Sequence, residues 1–182
     1  RGSDATRVNV TINGIPFNDA EGQGVYWVNM PDLSSSTDDI QIQRGIGAST
    51  TGASAFGASI NLSTLSTINS NKPYGEISNS YGSFNTLKNT IKIGTGLIEG
   101  KWNFEGRLSK IASDGFIDRA SSDLNSYYFS GSYLGEKTSV QALVFSGNEK
   151  TYQSWGGAPL SVLGTNPTYN PYTYDNQIDN YT

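Results

Sequence analysis

Tyr26 and Trp27 stand side by side, with Asn29 two positions on, in a stretch from Asp19 to Pro31 that has neither helical nor strand periodicity. Long connections of this kind in compact domains are commonly functional. Amphipathic rings beside an amide suit capture of a large, partly apolar ligand, although the same rings also suit packing against a wall. A second aromatic stretch, Tyr152 to Tyr174, carries Tyr152, Trp155, Tyr169, Tyr172 and Tyr174 beside Gly156-Gly157 and three prolines. It reads either as the wall of a binding vestibule or as an extended loop with interfacial aromatics. Arg44 ends the alternating run Asp39-Ile40-Gln41-Ile42-Gln43 and precedes Gly45. A planar guanidinium suits a bidentate carboxylate contact; left at an exposed strand end it contributes little. Asp114, Asp118 and Asp123 cluster in one loop but lack the EF-hand spacing, so capping of Asx turns suits them better than calcium.

Other chemistry is missing from the stretch. With no Cys and no His, disulfides, thiolate metal sites, His-based triads and imidazole haem ligation fall away. No nucleophile–base pair, phosphate loop or glycosidase-type carboxylate pair stands out, so neither catalysis nor a resident metal or cofactor is expected. Lys+Arg number 12 against Asp+Glu 16, for a net charge of −4, and phosphate neutralisation needs clustered cations; nucleic acid is not an expected partner. A chain with 21 Gly and 12% aromatics is too aromatic for a disordered tail and fits a β protein with many turns.

Two patterns divide the chain. Up to about residue 70, short strands are expected at Val8–Ile12, Asp39–Gln43 and Ala58–Ser63, with Asn13-Gly14 as a hairpin turn. From Tyr74 onward the rhythm is regular: 74–83, 86–96, 101–111, 124–134 and 138–148 read as strands. Lengths of ~9–11 residues match tilted strands that cross a bilayer, whereas soluble strands run nearer ~5–6. Trp102, Phe104 and Leu108 alternate with Asn103, Glu105, Arg107 and Ser109; Leu87, Ile91 and Ile93 alternate with Lys88, Thr90 and Lys92. One apolar and one wholly polar face fit a lipid-facing wall with a wet interior. The strand at 138–148 is ambiguous, since Val140, Ala142 and Val144 oppose Leu143 and Phe145. Tight connections at 98–100 and 135–137 against longer ones at 112–123 and 149–175 place the former inside and the latter outside. An antiparallel β-sandwich with one exposed face is the competing architecture.

At Arg7-Val8-Asn9-Val10, Asn13-Gly14-Ile15-Pro16, Asn18-Asp19, Asp39 to Gly45, Gly52 and Ala55-Phe56-Gly57-Ala58-Ser59-Ile60-Asn61-Leu62 the chain resembles the plug of TonB-dependent outer-membrane receptors. Tyr81-Gly82-Ser83-Phe84-Asn85-Thr86, Gly96-Leu97, Gly100-Lys101-Trp102, Gly106-Arg107-Leu108-Ser109 and Ser113-Asp114-Gly115-Phe116 resemble the family's first barrel strands and an outer loop. The resemblance implies an all-β chain: residues 1–70 the later half of a plug domain, 71–182 the first five to six antiparallel strands of a large transmembrane β-barrel, a sixth strand starting near Asn176. Five strands cannot close a barrel, since the smallest need ~8; a family barrel has about 22. The chain therefore reads as an internal segment, its TonB-contacting part expected before Arg1.

What the family does follows as expectation. The function would be import of a scarce nutrient at the cell outer membrane. An iron–siderophore complex ranks first; cobalamin, haem or a glycan are alternatives within the family. A passive channel or adhesin, and a soluble carbohydrate-binding β-sandwich, are the alternatives outside it. Partners would be outer-membrane lipid, a TonB-type energy-coupling protein and the nutrient. Tyr26, Trp27 and Asn29 would sit in the apical ligand loop, Tyr152 and Trp155 in the vestibule wall. Arg44 would anchor the plug to a barrel carboxylate, either Glu76, Glu105 or one beyond this segment. Burial of Trp102, Phe104, Ile91 and Ile93 together in a closed core would contradict the whole reading.

Overall fold

The computed structural model describes residues 4–46, 56–64, 71–152, 154 and 156–173. The strands of the described residues form two sheets. The first has the order β2-β1-β4-β3, from β1 (Val8–Ile12), β2 (Ile15–Pro16), β3 (Thr37–Arg44) and β4 (Ala58–Thr64). β1 and β4 run parallel with Val10 opposite Ile60 and Ile12 opposite Leu62, while β3 joins β4 antiparallel. Asn13 and Gly14 both take positive φ, 53° and 79°, and bring Ile12 opposite Ile15. That is the backbone a tight hairpin needs and few other dipeptides adopt cheaply. The Asn13 side chain then ties the turn to β4: its Nδ2 donates to Thr64 Oγ1 at 2.7 Å and its Oδ1 accepts from Thr64 N at 2.9 Å.

The second sheet is a meander of β5 (Tyr74–Gly82), β6 (Thr86–Gly94), β7 (Trp102–Ser113), β8 (Ser122–Leu134) and β9 (Ser139–Thr151), each antiparallel to the next. β7, β8 and β9 are longer than the alternation suggests. Ser113 pairs with Ser122, and Ser122 with Thr151, so the ladder continues past the apolar residues and shortens the outer loop to 114–121. Laddered strands satisfy each other's backbone groups, which a free loop would leave to water. The expected sixth strand lies outside the described residues.

The faces of this sheet are the reverse of a soluble protein's. Thr90, Asn103, Glu105, Arg107, Ser109, Ser126, Ser130 and Ser132 are buried beneath the first sheet and its loops. Ile93, Leu108 and Trp102 on the other side are 61%, 62% and 44% exposed, and Ile91, Phe104, Phe129 and Val144 are exposed with them. Trp102, Phe104, Ile91 and Ile93 thus form an outer face and no closed core. Trp102 and Tyr133 rings lie 4.6 Å apart near the end opposite the long loops. Among the described residues no helix is long and apolar enough to cross a membrane, which has no bearing on crossing by strands.

The true core is small and shared. Val10, Ile12, Met30, Leu33 and Leu62 are buried together, and Leu143 and Phe145 of β9 pack against them. This explains the mixed pattern of β9. Its Val140 and Val144 point outward, whereas Leu143 and Phe145 meet the first sheet's core.

Candidate functional site

The segment between β2 and β3 climbs the inner face of β9 and carries Tyr26, Trp27 and Asn29. Its foot is Phe17, whose ring lies 5.8 Å from that of Phe145. Higher up, Pro31 lies flat against Gly147. A Cβ at Gly147 would overlap Pro31 Cγ and come within 2.9 Å of Pro31 Cδ and the Asn125 carbonyl. Gly147→Ala should therefore lift the Pro31 turn off the wall and cost about 1–3 kcal/mol. Urea denaturation of the full-length protein checks it, and an unchanged midpoint would show that the turn can simply slide.

Asp32 follows with φ 55°, a left-handed conformation that a side chain resists unless its surroundings fix it. Four donors do so. Lys88 Nζ reaches Asp32 Oδ1 at 2.7 Å and Ser35 Oγ reaches the same oxygen at 2.7 Å. Arg107 Nη1 donates to Oδ2 at 3.0 Å, and the Ser109 hydroxyl also donates to Oδ2. The Asp32 and Arg107 side chains are only 3% and 2% exposed. Burial pushes the Asp32 carboxyl up, but hydrogen bonds from Lys88, Ser109 and Ser35 and the Lys88 charge outweigh it, so the group sits below its ordinary value. Arg107 Nη1 also donates to Ser126 Oγ at 3.0 Å, extending the network along the wall. Tyr128 Oη donates to Thr64 Oγ1 at 2.7 Å and ties β8 to β4. The two sheets are thus joined by a carboxylate on the inner unit and cations on the wall.

None of these joining residues stood out in the sequence as a site. The only signal was that Lys88 and Arg107 lie on a polar face that had to meet something. Arg44, the expected anchor, is exposed at the end of β3. It takes part in none of the ion pairs among the described residues, which are Lys88–Asp32, Arg107–Asp32 and Lys110–Asp123. Neither Glu76 nor Glu105 is its ion-pair partner among these residues. Among the described residues β3 is an edge strand of its sheet.

Above Asp32 the segment turns over at the outer end of the sheet. Tyr26 and Trp27 are 60% and 50% exposed there, with Val28 beside them. Val28 and Asn29 face Glu149 and Thr151 of β9 across an open recess of about 390 Å³ floored by Pro31 and Gly147. The structure thus brings Tyr26, Trp27 and Asn29 to one rim. Tyr152 lies just beyond β9, under the Arg119 guanidinium at 5.3 Å from its ring centre. Trp155 lies outside the described residues. The two outer loops are stapled: Asp118 N donates to Thr168 O at 2.8 Å, and buried Asn170 Nδ2 donates to Asp118 O at 2.8 Å. The three aspartates do separate work. Asp114 accepts from Asn85 Nδ2 at 2.6 Å, Asp118 staples the loops through its backbone, and Asp123 pairs with Lys110 at 3.1 Å.

No protein-family model matches the sequence. Solved structures do match its fold. The ferripyoverdine receptor of the outer membrane of Pseudomonas aeruginosa superposes with a TM-score of 0.60 at 17% identity, over 78% of this chain and 19% of that one. The FpvAI–pyocin S2 complex gives 0.62 at 18% identity, over 78% and 19%. The siderophore receptor PirA from Acinetobacter baumannii gives 0.56 at 14% identity, over 82% and 25%. The fold is that of a TonB-dependent receptor's plug and barrel. The chain spans about a fifth to a quarter of the length of these structures. The Asp32 cluster is where the unit built on β1–β4 meets the β5–β9 sheet.

Proposed function

We propose that this chain is an internal segment of an outer-membrane transporter that imports a scarce nutrient, and that the nutrient is an iron–siderophore complex. Residues 1–70 are then the later half of the plug and 71–182 the first barrel strands. The observation that carries the reading is the inverted wall: an apolar outer face, and a polar inner face neutralised by a plug carboxylate. A soluble carbohydrate-binding sandwich has no use for Trp102, Phe104 and Ile93 exposed on the outside. The exposed Tyr26–Trp27 rim, with Asn29 beside it, offers a large chelate both ring faces and polar edges. Arg44 on the free edge of β3 is available to a carboxylate of wall strands beyond this segment. A TonB-type protein, acting through plug residues before Arg1, supplies the work that loosens the plug. Ligand binding biases that step only by as much as it favours one plug state over another.

Intact cells carrying the full-length protein, and outer membranes prepared from them, test this with iron-59-labelled catecholate, hydroxamate and mixed-ligand siderophores. The expected result is saturable binding of one class, uptake that stops with a protonophore, and release of the protein from membranes only by detergent. Binding of cobalamin, haem or a glycan in place of every iron complex would reassign the nutrient. Extraction without detergent would overturn the membrane reading itself.

A further inference from the structure

The recess between the aromatic rim and β9 has a chemical character of its own. Side chains alternate along β9. Phe145, Gly147, Glu149 and Thr151 face the inner unit, while Lys150 faces the other side of the sheet. Val28 and Pro31 give the recess apolar walls, and Asn29, Glu149 and Thr151 line it with polar groups. An open recess of about 390 Å³ seats one arm of a large chelate and leaves the body on the Tyr26–Trp27 rim.

Its charge is one-sided. Glu149 is exposed and is in none of the ion pairs among the described residues. The turn behind Tyr26 adds Asp19 and Glu21, which are also outside those pairs. That turn backs onto the rim: a Cβ at Gly22 would lie 3.2 Å from Asp19 Oδ1 and 3.3 Å from Tyr26 Oη. The cations at this end of the molecule are engaged elsewhere. Lys88 and Arg107 pair with Asp32, and Lys110 pairs with Asp123. Lys150 lines a recess on the opposite face of the sheet with Asp114, Asp123 and Tyr152. Arg119 lies over the ring of that same Tyr152. No cation among the described residues lines the recess that Glu149 lines.

An alkylammonium group fits this set. It has three donors and no acceptor, and Glu149, the Asn29 amide oxygen and the Thr151 hydroxyl offer three acceptors. Its methylene stem suits Val28 and Pro31, as the stem of a lysine suits apolar surface. A ligand without the cation would cover Glu149 and leave a desolvated carboxylate with no counter-charge, so the recess selects as well as binds.

We propose that this recess receives a cationic alkylammonium arm of the iron chelate, with Glu149 as its counter-charge, and so favours amine-bearing siderophores over neutral or anionic ones. The proposal rests on the iron–siderophore reading above and adds the class of siderophore. Ferrioxamine B carries a free pentylammonium arm, and its N-acetyl form is the same chelate without that charge. Both are titrated as iron-59 complexes against outer membranes holding the full-length protein. Wild type should bind the amine form about fivefold more tightly than the acetyl form. Glu149→Gln should bring the two to one Kd by weakening the amine form alone, and Glu149→Lys should turn the preference round. Equal affinity of the two forms in wild type overturns the proposal. A preference that survives Glu149→Gln, or a loss that falls on both forms alike, does the same. If the uptake experiment selects another amine-bearing siderophore, the pair is made from that one by the same acetylation. Selection of a siderophore with no cationic group overturns the proposal and leaves the iron–siderophore reading standing, whereas uptake of no iron complex removes both.

Discussion

Asp32→Ala is expected to loosen the seating of the segment between β2 and β3 on the β5–β9 sheet by about 3–5 kcal/mol, because it leaves Arg107 buried without its counter-charge. Arg107 is 2% exposed and cannot turn to water without moving the Pro31–Ser36 segment. Hydrogen exchange of amides 30–36 in the full-length protein is the measurement. Protection there should fall by about two to four orders of magnitude, while amides of β5–β9 hold theirs. Asp32→Ala combined with Arg107→Met should recover part of the loss, since both members of the buried pair are then gone. The pH dependence has a definite sign. The Asp32 carboxyl is held below its ordinary value of 3.8, so its contribution is complete above that value and disappears as pH falls through the lower folded value. Seating should therefore be insensitive to this group from neutrality down to about pH 4 and weaken only in stronger acid. Equal exchange in wild type and Asp32→Ala would show that the shared apolar core alone holds the plug.

Tyr26→Ala with Trp27→Ala should weaken binding of the nutrient by at least about 2 kcal/mol, roughly thirtyfold in Kd. Both rings are at least half exposed, so their loss should change stability by no more than about 0.5 kcal/mol. Binding and folding effects are therefore separable in one double variant. Titration of the full-length protein with the ferric siderophore of the proposed function decides the matter, and an unchanged Kd would move the site away from this rim. Asn29 and Glu149 line the recess next to the rings. Single replacements there should have smaller effects, because polar groups around a central anchor mainly exclude water.

These two sites differ in how visible they were beforehand. The aromatic rim is a local feature: Tyr26, Trp27 and Asn29 are near neighbours in a stretch without periodicity, and their common exposure follows from the loop itself. The Asp32 cluster joins residues 56 and 75 positions apart, and nothing near Pro31-Asp32 announces it. The Arg-Gly at the end of β3 is a local signal of the same kind as the rim, and Arg44 is exposed on an edge strand. The stapling of loop 114–121 by Thr168 and Asn170 was equally hidden, since each partner looks like an ordinary loop residue. The extra strand residues at Ser113, Ser122 and Thr151 were missed because small polar residues carry no alternation once a strand leaves the apolar zone.

What the residues alone determined was local and periodic. A period of two with one apolar face fixes a strand and its two environments, and Asn13-Gly14 fixes a turn, because both depend on contacts only a few positions away. Tertiary structure decided which polar wall residue faces which plug residue. That choice depends on how the sheet curves and where the plug comes to rest within it. Such partners are set by packing between distant segments, and the wall's own alternation would have been the same had Arg107 met a different carboxylate.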